Sequence, residues 1–227
     1  MAGVAGPFAL LRRGLDLLLP PACVGCAAEG TLLCEGCAAP LRARLGQPPG
    51  APIGLPVELP APLLQLEWCA PFTGTTRAAL HALKYDGVRD LAESLGAALA
   101  SRWAEAGRGG NLLVPVPVHP SRLRQRGYDQ AALLAEAAGR LLGIPAVAAL
   151  ERVAETSAQH ALGRAARARN VGGRFAVAVP EAVHVRGAWA VLVDDVVTTG
   201  ATLGACGRAL LAAGASAVSA VTVAREG

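Results

Sequence analysis

A chain of 227 residues is long enough for one α/β domain plus a small appendage. Hydrophobic residues make up 53% and aromatics only 4%, so the core must be built from small aliphatic side chains and close backbone packing, which suits helices laid on a parallel sheet. The net charge of +4 and pI near 8.9 neither mark nor rule out a nucleic-acid binder, whereas the mean hydropathy of +0.41 does not make a membrane span: the longest stretch without charge or His, residues 209–224, is interrupted by Gly214, Ser216, Ser219 and Thr222, and a spanning helix needs about 18 or more apolar residues.

In chain order, residues 8–18 carry Phe8, Leu11, Leu15 and Leu18 at helical spacing, and Pro20-Pro21 stops that helix. Arg12 and Arg13 precede only a short apolar run with no small-residue cleavage site. We therefore expect a cytoplasmic protein with no membrane insertion. Cys23, Cys26, Cys34 and Cys37 follow as two CxxC units seven residues apart. Residues 46–62 hold six prolines, which excludes a helix and an inner strand. The expected division is a helix plus a four-cysteine zinc-binding domain over 1–45, a Pro-rich linker over 46–66, and the main domain over 67–227.

The main domain reads as alternating elements. Strands are expected over 67–72, 112–118, 146–150, 174–179, 188–193 and 217–224. Helices are expected over 75–84, 89–106, 130–142 and 201–213, with an Arg-rich loop between Val118 and Gln130 and a polar, Arg-rich stretch over 152–170. This alternation predicts βαβ units and a parallel sheet flanked by helices.

Three groups of residues carry chemistry. Asp194 and Asp195 follow the apolar run Val191–Val193, at the end of a strand where α/β sheets bind ligands. Val196, Thr198, Thr199, Gly200, Ala201 and Thr202 then open a helix. Its first amides and dipole suit a phosphate, the Thr hydroxyls add donors, and Gly200 permits a close backbone approach. The carboxylates suit ribose hydroxyls or Mg2+. A second anion site is expected at Arg122, Arg124, Arg126 and Gly127, since guanidinium groups grip phosphate oxygens in pairs; a solvated basic loop is the alternative. The four cysteines predict a closed tetrahedral thiolate site for structural Zn2+, with Gly25 and Gly36 relaxing the two turns. The metal unit can act as a folding clip or touch nucleic acid, and the neighbouring Glu29 and Glu35 argue against DNA there. Cys69 and Cys206 read as small buried residues.

The run 191–202 resembles the phosphoribosyl pyrophosphate signature of type I phosphoribosyltransferases. The chain as a whole is similar to the ComF family of competence-associated proteins, on residues 19–26, 33–37, Lys84 to Gly87, Val114 to His119, Arg126 to Gln130, Gln159 and 169–175. The resemblance implies a type I phosphoribosyltransferase-like fold with an N-terminal double zinc ribbon. It implies a phosphoribosyl pyrophosphate or nucleotide ligand with Mg2+, phosphoribosyl transfer, and a role in DNA uptake with single-stranded DNA and DNA-processing proteins as partners. A non-catalytic nucleotide sensor or single-strand binder is the alternative. The loop around Arg122 to Gly127 would contact pyrophosphate, residues 156–174 would correspond to a closing loop or to a nucleic-acid-facing surface, and the N-terminal domain would sit as a hood over the acceptor. Where the family shows Arg-Gly-Phe-Asn-Gln, this chain has Arg126-Gly-Tyr-Asp-Gln130. An anion at Asp129 would weaken pyrophosphate binding by direct contact, unless it pairs with a neighbouring Arg.

Overall fold

The computed structural model describes residues 20–50, 59–153 and 175–226. The expected helix over 8–18 and the stretch 154–174, with Gln159 and the whole expected closing loop over 156–174, lie outside the described residues. The elements in chain order are α1 (Glu35–Ala38), a 3-10 turn (Ala39–Arg42), β1 (Leu66–Pro71), α2 (Gly74–Tyr85), α3 (Leu91–Ala106), β2 (Leu112–Pro115), α4 (Pro120–Arg126), α5 (Gln130–Leu142), β3 (Leu150–Arg152), β4 (Phe175–Val177), a 3-10 turn (Val179–Glu181), α6 (Ala182–Val185), β5 (Trp189–Val197), α7 (Ala201–Ala212) and β6 (Ala217–Arg225).

Four strands form the expected parallel sheet, in the order β1-β6-β5-β2. Both faces are covered, which is why the inner strands are apolar at successive positions. Val191 and Val193 of β5 pack with α3 and α5 through Leu95, Leu99 and Leu134. Ala190 and Leu192 pack on the other side with Leu203, Cys206 and Leu210 of α7. The close packing expected of a core poor in aromatics is seen where Gly96 of α3 meets Ala137 of α5; a methyl group on Gly96 would overlap it. Cys69 and Cys206 are fully buried, and burial pushes both thiols up, Cys69 to about 12.

Several expected elements end elsewhere. The strand expected over 188–193 runs on to Val197, because β6 keeps pairing with it as far as Val197 opposite Arg225. The 146–150 strand is reduced to a single bridge from Ala146 to Leu113; the next strand, β3, pairs antiparallel with β4 in a separate ribbon. The Arg-rich loop is a seven-residue helix, α4, with Pro120 in its first turn, His119 as its N-cap and Gly127, at φ +74, as its C-cap.

Around the cysteines, Leu33 and Leu41 join the same core as Leu80 and Leu83 of α2. The described ends of the Pro-rich stretch are fastened as well. Arg102 of α3, buried, donates to the carbonyls of Arg44 (2.6 Å), Gln47 (3.1 Å) and Pro48 (3.3 Å) and to Glu67 Oε2 (2.6 Å). Glu67 Oε1 accepts from the Gly50 amide at 2.6 Å. Pro60 to Leu63 lie along α7 where Gly200, Gly204 and Gly207 leave room. Among the described residues, no helix is long and apolar enough to cross a membrane.

Candidate functional site

At the carboxyl ends of β2 and β5 a cleft of about 510 Å³ is lined by Asp194, Asp195, Thr202, Arg122 and His119. Lys84, Gln130 and Arg152 complete its polar wall. Parallel strands of a doubly covered sheet offer their ligand sites at this end. Asp194 and Asp195 lie inside the last residues of β5, not after it, so the pleat sends them in different directions.

The two acids have different surroundings. Asp195 is nearly buried; its Oδ2 meets Lys84 Nζ at 2.8 Å and accepts from Gln130 Nε2 at 3.1 Å. Among the described residues, Asp194 accepts only from the Asp195 amide, through Oδ1 at 2.8 Å. Burial, and then the negative charge of Asp195, raise the Asp194 carboxyl well above the ordinary aspartate range.

The phosphate cradle expected over 196–202 is divided. Val196 turns its side chain to the core formed with Val193 and Val221. Thr198 and Thr199 precede α7, Ala201 and Thr202 begin it, and all four are exposed. Thr199 Oγ1 accepts from the Ala201 amide at 3.3 Å, while among the described residues no protein group accepts from the amides of Thr202 and Leu203. Two donors at a positive helix end are thus left for an anion. Gly200 has φ +74 and caps the helix, and what comes close to it is Pro60: a methyl group there would overlap that ring.

Of the expected second anion site, Arg122 reaches the cleft. Arg126, one helical turn on, donates to Gln130 Oε1 at 2.9 Å and stacks 4.8 Å above Tyr85. It therefore aims the glutamine that holds Asp195. Arg124 does not line the cleft and is exposed. Asp129 is a helix cap: Oδ1 accepts from the Ala131 and Ala132 amides and Oδ2 from the Val118 amide. All three contacts ask only for an acceptor, so an aspartate serves there without an Arg partner.

Sequence reasoning does not single out Lys84, His119, Gln130 and Arg152 as site residues. Lys84, His119 and Gln130 stand in stretches that carry the family resemblance, which is the available signal. Arg152 has none; its Nε donates to the Pro117 carbonyl at 2.9 Å and its guanidinium lies over Phe175.

The four cysteines are brought together, with all ligand sulfurs within 4.8 Å of one another and Cys26 Sγ 3.7 Å from Cys34 Sγ. The edge of a tetrahedron with Zn–S bonds of about 2.3 Å is about 3.8 Å, so the set can hold a zinc ion. The amides of Cys34 and Gly25 pull the Cys23 thiol down to about 6, and the neighbouring Cys34 sulfur, then burial, push Cys37 up to about 12. Thiols that share protons this way are relieved by a cation among them. The two glycines differ. A methyl group on Gly25 would lie 2.7 Å from Cys37 Sγ and 2.9 Å from Thr75 Cγ2, whereas Gly36 faces open space.

No protein-family model matches the chain. Over 218 residues the chain is 30% identical to the DNA utilization protein YhgH of Salmonella typhimurium, covering 93% of this chain and 90% of that one. It is 32% identical over 165 residues to the Escherichia coli (strain K12) protein of the same name, with 70% and 71% covered. It is 40% identical over 94 residues to competence protein F of Haemophilus influenzae, 40% of each chain. Among solved structures, a glutamine phosphoribosylpyrophosphate amidotransferase from B. subtilis complexed with ADP and GMP is similar at 22% identity and a TM-score of 0.43. That match covers 60% of this chain, which spans about a quarter (26%) of the amidotransferase.

Proposed function

The chain belongs to the ComF family, with DNA utilization protein YhgH and competence protein F among its relatives, and on that premise we propose that its cleft binds phosphoribosyl pyrophosphate, or the ribose phosphate of a nucleotide, together with Mg2+. One observation carries this reading: an acidic pair, Thr202 of an open helix N-terminus and two arginines line the same cleft at the carboxyl end of a parallel sheet. The amides of Thr202 and Leu203 take the 5′-phosphate. Asp194 and Asp195 serve the ribose hydroxyls, and Arg122, His119 and Arg152 face the pyrophosphate. Bound Mg2+ would offset charge on the phosphates. The domain is read as type I phosphoribosyltransferase-like, and Cys23, Cys26, Cys34 and Cys37 as a closed, structural Zn2+ site.

The matching reaction is phosphoribosyl transfer. Pyrophosphate leaves ribose C1 with the bonding electron pair, and an acceptor nucleophile forms the new bond at that carbon. Catalysis of this kind rests on positioning and charge stabilisation, so the cationic wall of the cleft is its main instrument. Isothermal titration with phosphoribosyl pyrophosphate and Mg2+ tests the binding. Heat is expected with wild type and is lost in an Asp194→Ala/Asp195→Ala protein that still melts cooperatively. No heat at high ligand concentration sinks the reading. Pyrophosphate release on adding nucleobases tests transfer.

The relatives' names carry the cellular setting: we take the role to be in DNA utilization during natural transformation. Exposed Arg124, outside the cleft lining, favours a second reading in which α4 meets single-stranded DNA. That reading requires affinity that falls steeply with salt and weakens in Arg124→Ala.

A further inference from the structure

Lys84 sits at the end of α2, and its ammonium is shared between two environments. It lines the cleft, and it also pairs with Asp195 Oδ2 at 2.8 Å, its side chain 17% exposed. The four-carbon stem is flexible and the ammonium is a compact charge with three donors, so it can turn from one acceptor to another without moving the helix. The carboxylate is prepared for that departure. Gln130 Nε2 donates to the same Oδ2 at 3.1 Å, and the glutamine is itself held by Arg126 at 2.9 Å. Asp195 would therefore keep a hydrogen bond after losing its cation. Among the described residues its Oδ1 carries no hydrogen bond, and it is free to accept from a hydroxyl. The helix end is held independently of the lysine, because the Tyr128 hydroxyl donates to the Leu83 carbonyl.

We infer that Lys84 is the exchangeable cation of the cleft: its ammonium passes from Asp195 to a phosphate oxygen of the ligand, and the same move opens Asp195 to the ribose. This rests on the phosphoribosyl reading of the cleft and adds its order of events. Anion binding and carboxylate release are one step, so a ligand that brings phosphate but no ribose must spend part of its affinity on breaking the Lys84–Asp195 pair. The two acids are then unequal. Asp195 holds the cation in a close ion pair that the ligand must break, whereas Asp194 makes no ion pair among the described residues.

The test is a double-mutant cycle on the full chain, with inorganic pyrophosphate as probe in buffer without added magnesium. Lys84→Met is expected to weaken binding about tenfold or more, the value of a hydrogen bond to a charged group. Asp195→Asn, which frees the lysine, is expected to tighten binding about threefold or more. The decisive outcome is that this tightening disappears when Asp195→Asn is made on Lys84→Met. Tightening of equal size in both backgrounds would mean that Asp195 acts only through its charge at a distance, and the exchange is overturned. An unchanged affinity in Lys84→Met overturns it too. If wild type binds neither pyrophosphate nor phosphoribosyl pyrophosphate, the phosphoribosyl reading falls and takes the exchange with it; if wild type binds and the cycle is additive, only the exchange falls. Lys84→Arg keeps a cation at the site and is expected to restore most of the affinity. Thermal melts of each variant separate a binding loss from unfolding.

Discussion

Thr75 Oγ1 donates to the carbonyl of Cys37 at 2.9 Å, so the helix that brings Lys84 to Asp195 starts on the cysteine cluster. A single element, α2, thus touches the candidate metal site with its first turn and the cleft with its last. Removing the hydroxyl in Thr75→Val should cost about 1 kcal/mol, or about 2–4 °C in Tm for a chain of this size. Cys34→Ser should cost more and should also abolish metal retention, read as zinc per chain after dialysis. A Cys34→Ser protein that keeps one zinc per chain would remove the cluster as the binding site.

The glycines of the two cysteine turns should respond differently. Gly25→Ala would place a methyl group against Cys37 Sγ and Thr75, and it is expected to weaken zinc binding by at least about tenfold, the scale of an orienting contact at a metal site. Gly36→Ala meets open space inside a helix; it should leave zinc affinity nearly unchanged and raise Tm slightly, since Ala favours a helix over Gly by up to about 1 kcal/mol. Competition with a colorimetric chelator reports both.

Glu67 is the shared acceptor of Arg44 and Arg102, with all three side chains buried. Glu67→Ala removes the buried carboxylate that Arg44 and Arg102 share, and a loss of about 3–5 kcal/mol is expected. Urea denaturation measures it. Because Arg102 also binds the carbonyls of residues 44, 47 and 48, the loss should be accompanied by faster proteolysis within residues 44–50.

Asp194 links stability to pH. Its folded-state carboxyl is raised by burial and by Asp195, so between the ordinary aspartate value and the raised one the folded chain binds more protons than the unfolded chain. Stability contributed at this site is therefore present at acid pH and declines as pH rises through that window. Asp194→Asn should raise Tm at neutral pH and make no difference below about pH 3.9. Melting curves across pH would refute this if the gain were the same at both ends.

Some parts of the molecule are readable because their signals are local. The helix Gln130–Leu142 has the expected bounds and ends where Gly143, at φ +69, stops it, whereas the capping role of Asp129 emerges only in the structure. The cysteine spacing brings the four sulfurs together over a short loop. The acids of 194–195 and the helix opening after Gly200 are legible for the same reason. The Arg-rich segment reads as a loop and folds as a helix: α4 buries none of its residues and so shows no apolar period, although Pro120 and Gly127 mark both its ends.

By itself, the sequence determined the alternation of strands and helices, the four cysteines that could hold a metal and the helix that opens after Gly200, since caps, turns and apolar periods act over a few residues. The tertiary structure decided what those pieces do to one another. β5 extends past its acids because β6, the next strand, continues to pair with it. Arg44, Glu67 and Arg102 meet only when three segments pack, and Lys84 reaches Asp195 only when α2 is laid against the sheet. Such contacts depend on where a fold places distant side chains, and a charge in a sequence carries no record of the partner that will neutralise it.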